Sequence, residues 1–213
     1  MKVTKAQAQA NRAHVVETAS ALFRERGYDG VGVADLMAAA GFTHGGFYRQ
    51  FGSKTELMAE SAACGIAQTA ALTAGVNTPE FVRIYLSREH RDARASGCTM
   101  AALGGDAARQ SEEVRATFAA GIESLLAALN PEGLPSDCPA SAQERTKSLD
   151  ILTRAVGAIV VSRACPDDSQ LADEILDVCR NQILASLAPS PSPAAKARHP
   201  ARRRGNGTSP KPG

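Results

Sequence analysis

Apolar residues recur at helical spacing along almost the whole chain. Near the start, Val15, Val16, Ala19, Leu22 and Phe23 keep the i, i+4, i+7 rhythm of one helix face and Gly27 supplies a stop, which predicts a first helix over residues 8–26. Val33, Leu36, Met37 and Ala40 repeat the spacing before Gly41 and predict a short second helix. After this turn Thr43 is placed to cap a third short helix, on which Phe47 and Phe51 share a face. Ser53-Lys54-Thr55-Glu56 then reads as a capping box, in which Ser53 and Glu56 satisfy each other's amides at the start of a long fourth helix.

Further on, Thr78 and Pro79 read as the N-cap and first residue of a helix carrying Phe81, Val82, Tyr85 and Leu86. A charged link, Arg88-Glu89-His90-Arg91-Asp92, runs to Gly97, and another helix is expected to begin near Cys98-Thr99-Met100. Ser111-Glu112-Glu113 opens the next, whose Val114, Phe118, Ile122, Leu125, Leu126 and Leu129 form the clearest amphipathic stripe in the chain. Pro131, Pro135 and Pro139 predict a loop, and Ser141 with Glu144 a second capping box for a helix bearing Leu149, Leu152, Val156, Ile159 and Val160. Propensity alone would allow a strand at Ile159-Val160-Val161, but the flanks keep helical spacing.

The last helix, near residues 168–187, carries two apolar stripes: Leu171, Ile175 and Val178, and also Leu176, Cys179, Ile183 and Leu187. A helix apolar on two sides needs cover on two sides, and a second copy of the chain can supply it, so a homodimer is expected. The expected fold is all-α: an N-terminal three-helix helix-turn-helix head over residues 1–56 and a larger helical bundle over residues 57–187, about nine helices together. Residues 188–213 hold six of the eleven prolines and no apolar residue other than alanine, which predicts a disordered basic tail.

Composition narrows the class of function. The longest apolar run, residues 155–161, falls far short of the ~18 residues that a membrane span needs. No apolar segment backs the positive charge at the N-terminus, so a cytoplasmic protein is expected. The formal net charge of +2 hides an uneven distribution. Residues 1–56 carry seven Lys/Arg against five Asp/Glu, residues 57–187 eleven against seventeen, and residues 188–213 six against none. A basic front, an acidic middle and a basic end suit a chain whose front meets a polyanion. The five cysteines are widely spaced and odd in number, and are expected to be mostly buried thiols rather than a disulfide framework or a zinc knuckle. His14, His44, His90 and His199 are scattered, so no metal and no cofactor is implied.

The third helix holds the candidate chemistry. With Phe47 and Phe51 facing inward, His44 with Tyr48 and Gly45 with Arg49 form neighbouring rows that can face a groove. Tyr48 offers a hydroxyl on a rigid arm, and Arg49 a planar fork of donors suited to phosphate oxygens or to the O6/N7 edge of guanine. Gly45 and Gly46 weaken so short a helix by ~1 kcal/mol each relative to alanine, a cost that close approach of a partner would offset. Lys54 sits in the first turn of the fourth helix, against the positive end of its dipole, where a bound phosphate would reverse the penalty.

These residues carry a resemblance. The runs Ala21-Leu22-Phe23-Arg24-Glu25-Arg26-Gly27-Tyr28, Val33-Ala34-Asp35-Leu36, and Ala40-Gly41-Phe42-Thr43-His44-Gly45-Gly46-Phe47-Tyr48-Arg49-Gln50-Phe51-Gly52-Ser53-Lys54 resemble the DNA-binding head of the TetR/AcrR family of transcriptional repressors. The resemblance spans residues 15–57. It implies a recognition helix in which Thr43, Gly45 and Tyr48, with Lys54 beyond it, match the usual operator-contacting positions, while His44 and Arg49 occupy positions that vary with the operator. It also implies that the body binds a small-molecule effector and dimerises through its last two helices. The chain departs from the family pattern at Gly32, where Thr or Ser is common, at Gln50, where histidine is frequent, and at Gly46, where Thr or Asn is frequent.

The body's candidates follow from pattern alone. Phe81, Tyr85, Met100, Phe118 and Ile122 are placed to line an effector cavity or simply to form core. Cys98, at a helix start with Arg91 or Arg94 possible neighbours, is a candidate effector contact or electrophile-sensitive thiol. The expected protein is not an enzyme but a DNA-binding transcriptional regulator whose partners are double-stranded operator DNA, its own second copy and an unidentified effector, with no membrane. Two alternatives stand beside it: an all-α thiol-dependent enzyme using Cys98 with His90, and a helical interaction module that binds no DNA.

Overall fold

The computed structural model describes residues 4–73, 75–129 and 139–188. Pro131, Pro135, Cys138 and the expected tail beyond residue 188 lie outside the described residues. Within them the chain is helical and contains no strand, including at Ile159-Val160-Val161.

The front of the chain is built from three helical elements. Helix α1 (Lys5–Arg26) begins three residues earlier than expected, because the Thr4 hydroxyl accepts from the amide of Gln7 at 3.2 Å. Gly27 ends it with φ of 75°, a left-handed conformation that favours glycine. Helix α2 (Val33–Ala39) starts at Gly32, whose missing side-chain cap is met from the other direction: the Asp35 carboxylate accepts the Gly32 amide at 3.2 Å. The third element, His44–Arg49, is a 3-10 helix rather than the α-helix expected, and the Thr43 side chain does not cap it. Two consecutive glycines in six residues leave too little helix propensity for a full α-helical turn to pay back its nucleation cost.

Helix α3 (Lys54–Thr73) leaves this head and runs without a break into the body, packed along α1 on one side and α7 on another. Ser53 accepts the Glu56 amide at 3.1 Å as expected, but the Glu56 carboxylate reaches one residue further back, to the Gly52 amide at 2.7 Å. Helix α4 (Thr78–Tyr85) is capped by Asn77 and not by Thr78, with Pro79 in its first turn. The charged link proves to be a short helix, α5 (Arg88–Asp92), and a 3-10 turn, Arg94–Ser96, connects it to α6 (Thr99–Ala107). Helices α7 (Glu112–Leu129), α8 (Pro139–Arg163) and α9 (Gln170–Leu187) complete the bundle. Pro139 begins α8, so Ser141 and Glu144 lie inside the helix instead of capping it.

Two residues of the charged link lie deeper than its composition suggests: His90 is half-buried and Arg91 is 1% exposed. Arg91 donates to the carbonyl and hydroxyl of Ser162, to the carbonyl of Cys165 and to Asp92, which fastens α5 to the end of α8. In α8 the buried stripe is Ser148, Ile151, Ala155, Ala158, Ile159 and Ser162; of the expected row Ile159 is fully buried, Leu152 and Val156 are half-buried against the core, and Leu149 and Val160 are exposed. The cysteines also differ from expectation: Cys98 is buried, while Cys64, Cys165 and Cys179 are half-buried free thiols.

Candidate functional site

The 3-10 helix sits on α2 with its aromatic side inward. Phe47 is fully buried and stacks on Phe51 at 5.4 Å, and both join the common core. This fixes which side faces out. Thr43, His44, Gly45, Tyr48 and Arg49 are all exposed, Tyr48 by 68%. Tyr48 stands edge-on to Phe47 at 5.1 Å and His44 edge-on to Tyr48 at 6.2 Å, so the tyrosine is braced at its base while its hydroxyl end remains in solvent. A Cβ added at Gly45 would meet nothing within 4 Å, so nothing inside the protein requires glycine there.

Lys54 is less free than its neighbours. Its side chain folds back over α1, the ammonium donating to the Tyr28 carbonyl at 2.6 Å and lying 5.9 Å from the centre of the Phe23 ring. One of its three donors is thereby engaged and two remain.

A residue that the pattern did not single out holds this surface in place. Arg12 of α1 donates to the Gln50 carbonyl at 3.0 Å, to Glu56 at 2.7 Å and to both carboxylate oxygens of Glu60, while its guanidinium lies 4.4 Å over the Phe51 ring. The hydrogen bond to Glu60 is the main reason its pKa rises, against the lowering effect of burial. Arg12 thus ties the end of the 3-10 helix to α3. Its sequence signal is the i, i+4 acidic pair Glu56 and Glu60, which waits for a cation across the helix face.

The six body residues expected at a ligand site fall into two separate places. Met100, Phe118 and Ile122 line an open apolar cleft of about 580 Å³ between α6, α7 and α8, together with Leu149, Leu152 and Val156. The cleft exists because Gly104, Ala107, Ala108, Ala119 and Gly157 withhold side chains from it, and a Cβ at Gly104 or Gly157 would touch nothing within 4 Å. Phe81, Tyr85 and Cys98 line a smaller, more enclosed cavity of about 70 Å³ with Val76, Ile84 and His90. Here the buried Tyr85 hydroxyl lies beside the Cys98 thiol, and burial, with Cys98 adding to it, pushes its pKa well above the usual 10.0.

His90 lies against Tyr85, with ring centres 4.4 Å apart. Its Nδ1 donates to the Tyr85 carbonyl at 2.6 Å and its Nε2 accepts the Cys98 amide at 3.2 Å, which fixes one neutral tautomer. Burial lowers its pKa, the Tyr85 carbonyl opposes that and the charge of Arg163 adds to it. Both ring nitrogens are therefore engaged with backbone groups, and neither is left for the Cys98 thiol. Arg24 and Arg163 both lie within electrostatic reach of Cys98. Among the described residues no cluster of His, Cys, Asp and Glu could hold a metal ion, and no helix is long and apolar enough to cross a membrane.

This head, with two short helical elements joined by a tight turn and set on a longer helix, is a helix-turn-helix. Residues 15–60 match the family model described as bacterial regulatory proteins, tetR family. The described residues have the fold of TetR-family transcriptional regulators. It is similar to the reduced form of NemR from E. coli, at 17% identity and a TM-score of 0.64, covering 82% of this chain and 95% of that one. It is also similar to a TetR-family transcriptional regulator from Cytophaga hutchinsonii, at 15% identity and a TM-score of 0.64, covering 90% and 100%. AibR, solved in complex with isovaleryl coenzyme A and operator DNA, shares 17% identity and a TM-score of 0.51 over 82% of this chain and 98% of its own. No curated protein sequence matches this chain.

Proposed function

We propose that the protein is a homodimeric transcriptional repressor that grips a palindromic operator with its 3-10 helices and lets go when a small molecule fills the body. The observation that carries this reading is the outward face of the 3-10 helix: five exposed positions, Thr43, His44, Gly45, Tyr48 and Arg49, set on a buried aromatic base. Arg49 supplies the fork for a base edge or a phosphate, Tyr48 a phosphate donor, and Gly45 the room for close approach. The two unengaged donors of Lys54 serve a backbone phosphate beside the start of α3.

Dimerisation is supported by large apolar side chains left in solvent on α8 and α9. Val160 and Val161 are 46% and 54% exposed, and Leu171 and Val178 are 55% and 53%. Two copies joined there would need their 3-10 helices about 34–36 Å apart to enter successive major grooves. The effector site best supported is the 580 Å³ cleft, whose volume falls in the range of small-molecule pockets and whose lining is almost wholly apolar. An effector there releases DNA only by favouring a different spacing of the heads, and α3, continuous from head to body, is the element that can carry the change. The protein acts where its DNA is, in the cytoplasm.

The test is DNA selection from random and genomic fragments at two salt concentrations. Enrichment of a palindrome that survives the higher salt supports the proposal. Enrichment of no sequence, or binding that vanishes uniformly with salt, refutes specific recognition. Sedimentation of the free protein as a monomer at working concentration would refute the dimer.

A further inference from the structure

A third hollow lies between the head and the body, apart from the operator face and the apolar cleft. It has a volume of about 320 Å³. Arg24 and Glu25 of α1 and Gly27 at its end form one wall, Arg94 of the 3-10 turn and Ala101 and Ala102 of α6 another, and Val160, Arg163 and Ala164 at the end of α8 the third.

Three arginines therefore line one small space, and among the described residues none of them is in an ion pair. Arg24, only 7% exposed, donates to the Ala95 carbonyl at 2.7 Å and to the Ser20 hydroxyl at 3.0 Å, with longer contacts of 3.4 Å to Thr99 and Gln68. Arg163, half-buried, donates to the carbonyls of Arg91 and His90 at 2.8 and 3.2 Å. Every one of these acceptors is neutral. Burial lowers the pKa of both groups, and Arg94 and Arg91 repel Arg163 further. The single carboxylate at the site, Glu25, lies 3.5 Å from Arg26 and is shared with it.

Some of this charge answers the fold itself. Arg24 and Arg163 lie in the last turns of α1 and α8, where each helix end presents roughly half a negative charge. Arg94 is exposed and Glu25 is shared with Arg26, so those two half-charges offset about one of the two charges on Arg24 and Arg163, which leaves roughly one unanswered. Burying an unanswered cation is costly, and an anion in the hollow removes that cost.

We propose that this hollow is a binding site for a small molecule bearing one oxyanion group, phosphoryl or carboxylate, held by Arg24, Arg94 and Arg163 with its apolar part against Ala101 and Ala102. Such a ligand touches the head through α1 and the body through α6 and α8 at once. The site does not depend on the operator reading, since binding is read on the protein alone.

The experiment is calorimetric titration of the full chain with phenyl phosphate, benzoate and the uncharged benzyl alcohol at constant ionic strength. The expected result is saturable one-site binding of phenyl phosphate or benzoate, none of benzyl alcohol, and roughly tenfold or greater weakening in Arg94→Ala, with Arg83→Ala on exposed α4 unchanged. Tighter binding of phenyl phosphate marks the group as phosphoryl, and tighter binding of benzoate as carboxylate. Arg94→Gln, which keeps a polar side chain and its first three carbons without the charge, gives the same loss and guards against a folding artefact in Arg94→Ala. The proposal is overturned if neither anion binds, if benzyl alcohol binds as well as they do, or if both Arg94 variants bind like the parent.

Discussion

The head and the body use the same kinds of residue to opposite ends. In the head, large side chains close around one another: Phe23, Tyr28, Leu36, Met37, Phe47, Phe51 and Leu57 are all at most 2% exposed. What remains outside is a polar and aromatic face with nothing of its own to pack against. In the body, small residues leave the space between helices unfilled. Gly104, Gly157 and several alanines leave a cleft, and the larger Leu149, Leu152 and Val156 of α8 line it rather than fill the core. The lesson is that a packed unit presents its function on its surface, whereas a loosely packed one keeps it inside. Glycine serves both ends, and its role is told apart only by what surrounds it. Gly65 and Gly121 are pressed against neighbours, with a Cβ at Gly65 only 2.3 Å from Arg24, while Gly45, Gly104 and Gly157 face open space.

The comparison can be broken most sharply at the head's aromatic base. Phe47→Ala removes a fully buried ring and should cost about 3–5 kcal/mol, read from the urea midpoint, with DNA binding lost alongside. A loss below about 1 kcal/mol would mean the head is not the closely packed unit described. Next in size is the outward face. Arg49→Ala should leave stability within about 0.5 kcal/mol of the parent. It should weaken the selected operator by about 1–3 kcal/mol, or some ten- to hundredfold, while non-specific DNA is affected far less. Lys54→Ala should weaken all DNA alike and reduce the salt slope by about one. Equal loss on specific and random DNA for Arg49 would remove it from base recognition.

In the body the sign should reverse. Gly104→Ala meets no neighbour and should raise stability by about 0.5–1 kcal/mol through helix propensity alone, visible as a higher thermal midpoint. A lower midpoint would show that the cleft is not open space. The smallest expected effect is a pH dependence. Folding holds His90 neutral below its ordinary value of 6.5, so on acidification the unfolded chain takes up the proton first. The stability contributed is complete above the unfolded pKa and is lost as pH falls through the lowered folded-state value. The urea midpoint should therefore drop on going from about pH 7.5 to pH 5, and His90→Gln should flatten that part of the curve.

Much of this molecule was visible in residue order alone, and the visible part is local. Gly27 and Gly41 stop helices because a positive φ is a property of one residue, and both stops are observed. Phe47 and Phe51 share a face because spacing along a helix sets direction, and that survives the change from α to 3-10 geometry. The second apolar stripe of α9 is likewise present as the exposed Leu171 and Val178. What residue order did not reveal depends on groups distant in the chain. Arg91 looks solvated beside Glu89 and Asp92, and the carbonyls of Ser162 and Cys165, more than seventy residues away, join Asp92 in making its burial tolerable. The face that α8 buries could not be chosen from hydrophobicity, because the small Ala155 and Ala158 permit the closer approach and the larger leucines do not. The hollow of three arginines has no sequence signature at all, since its walls come from α1, the 3-10 turn, α6 and α8. Short-range sterics and periodicity act between neighbours and are written in the order of residues. Burial of charge, the choice of face and the space left between helices are set by which distant surfaces meet, and these only the folded chain decides.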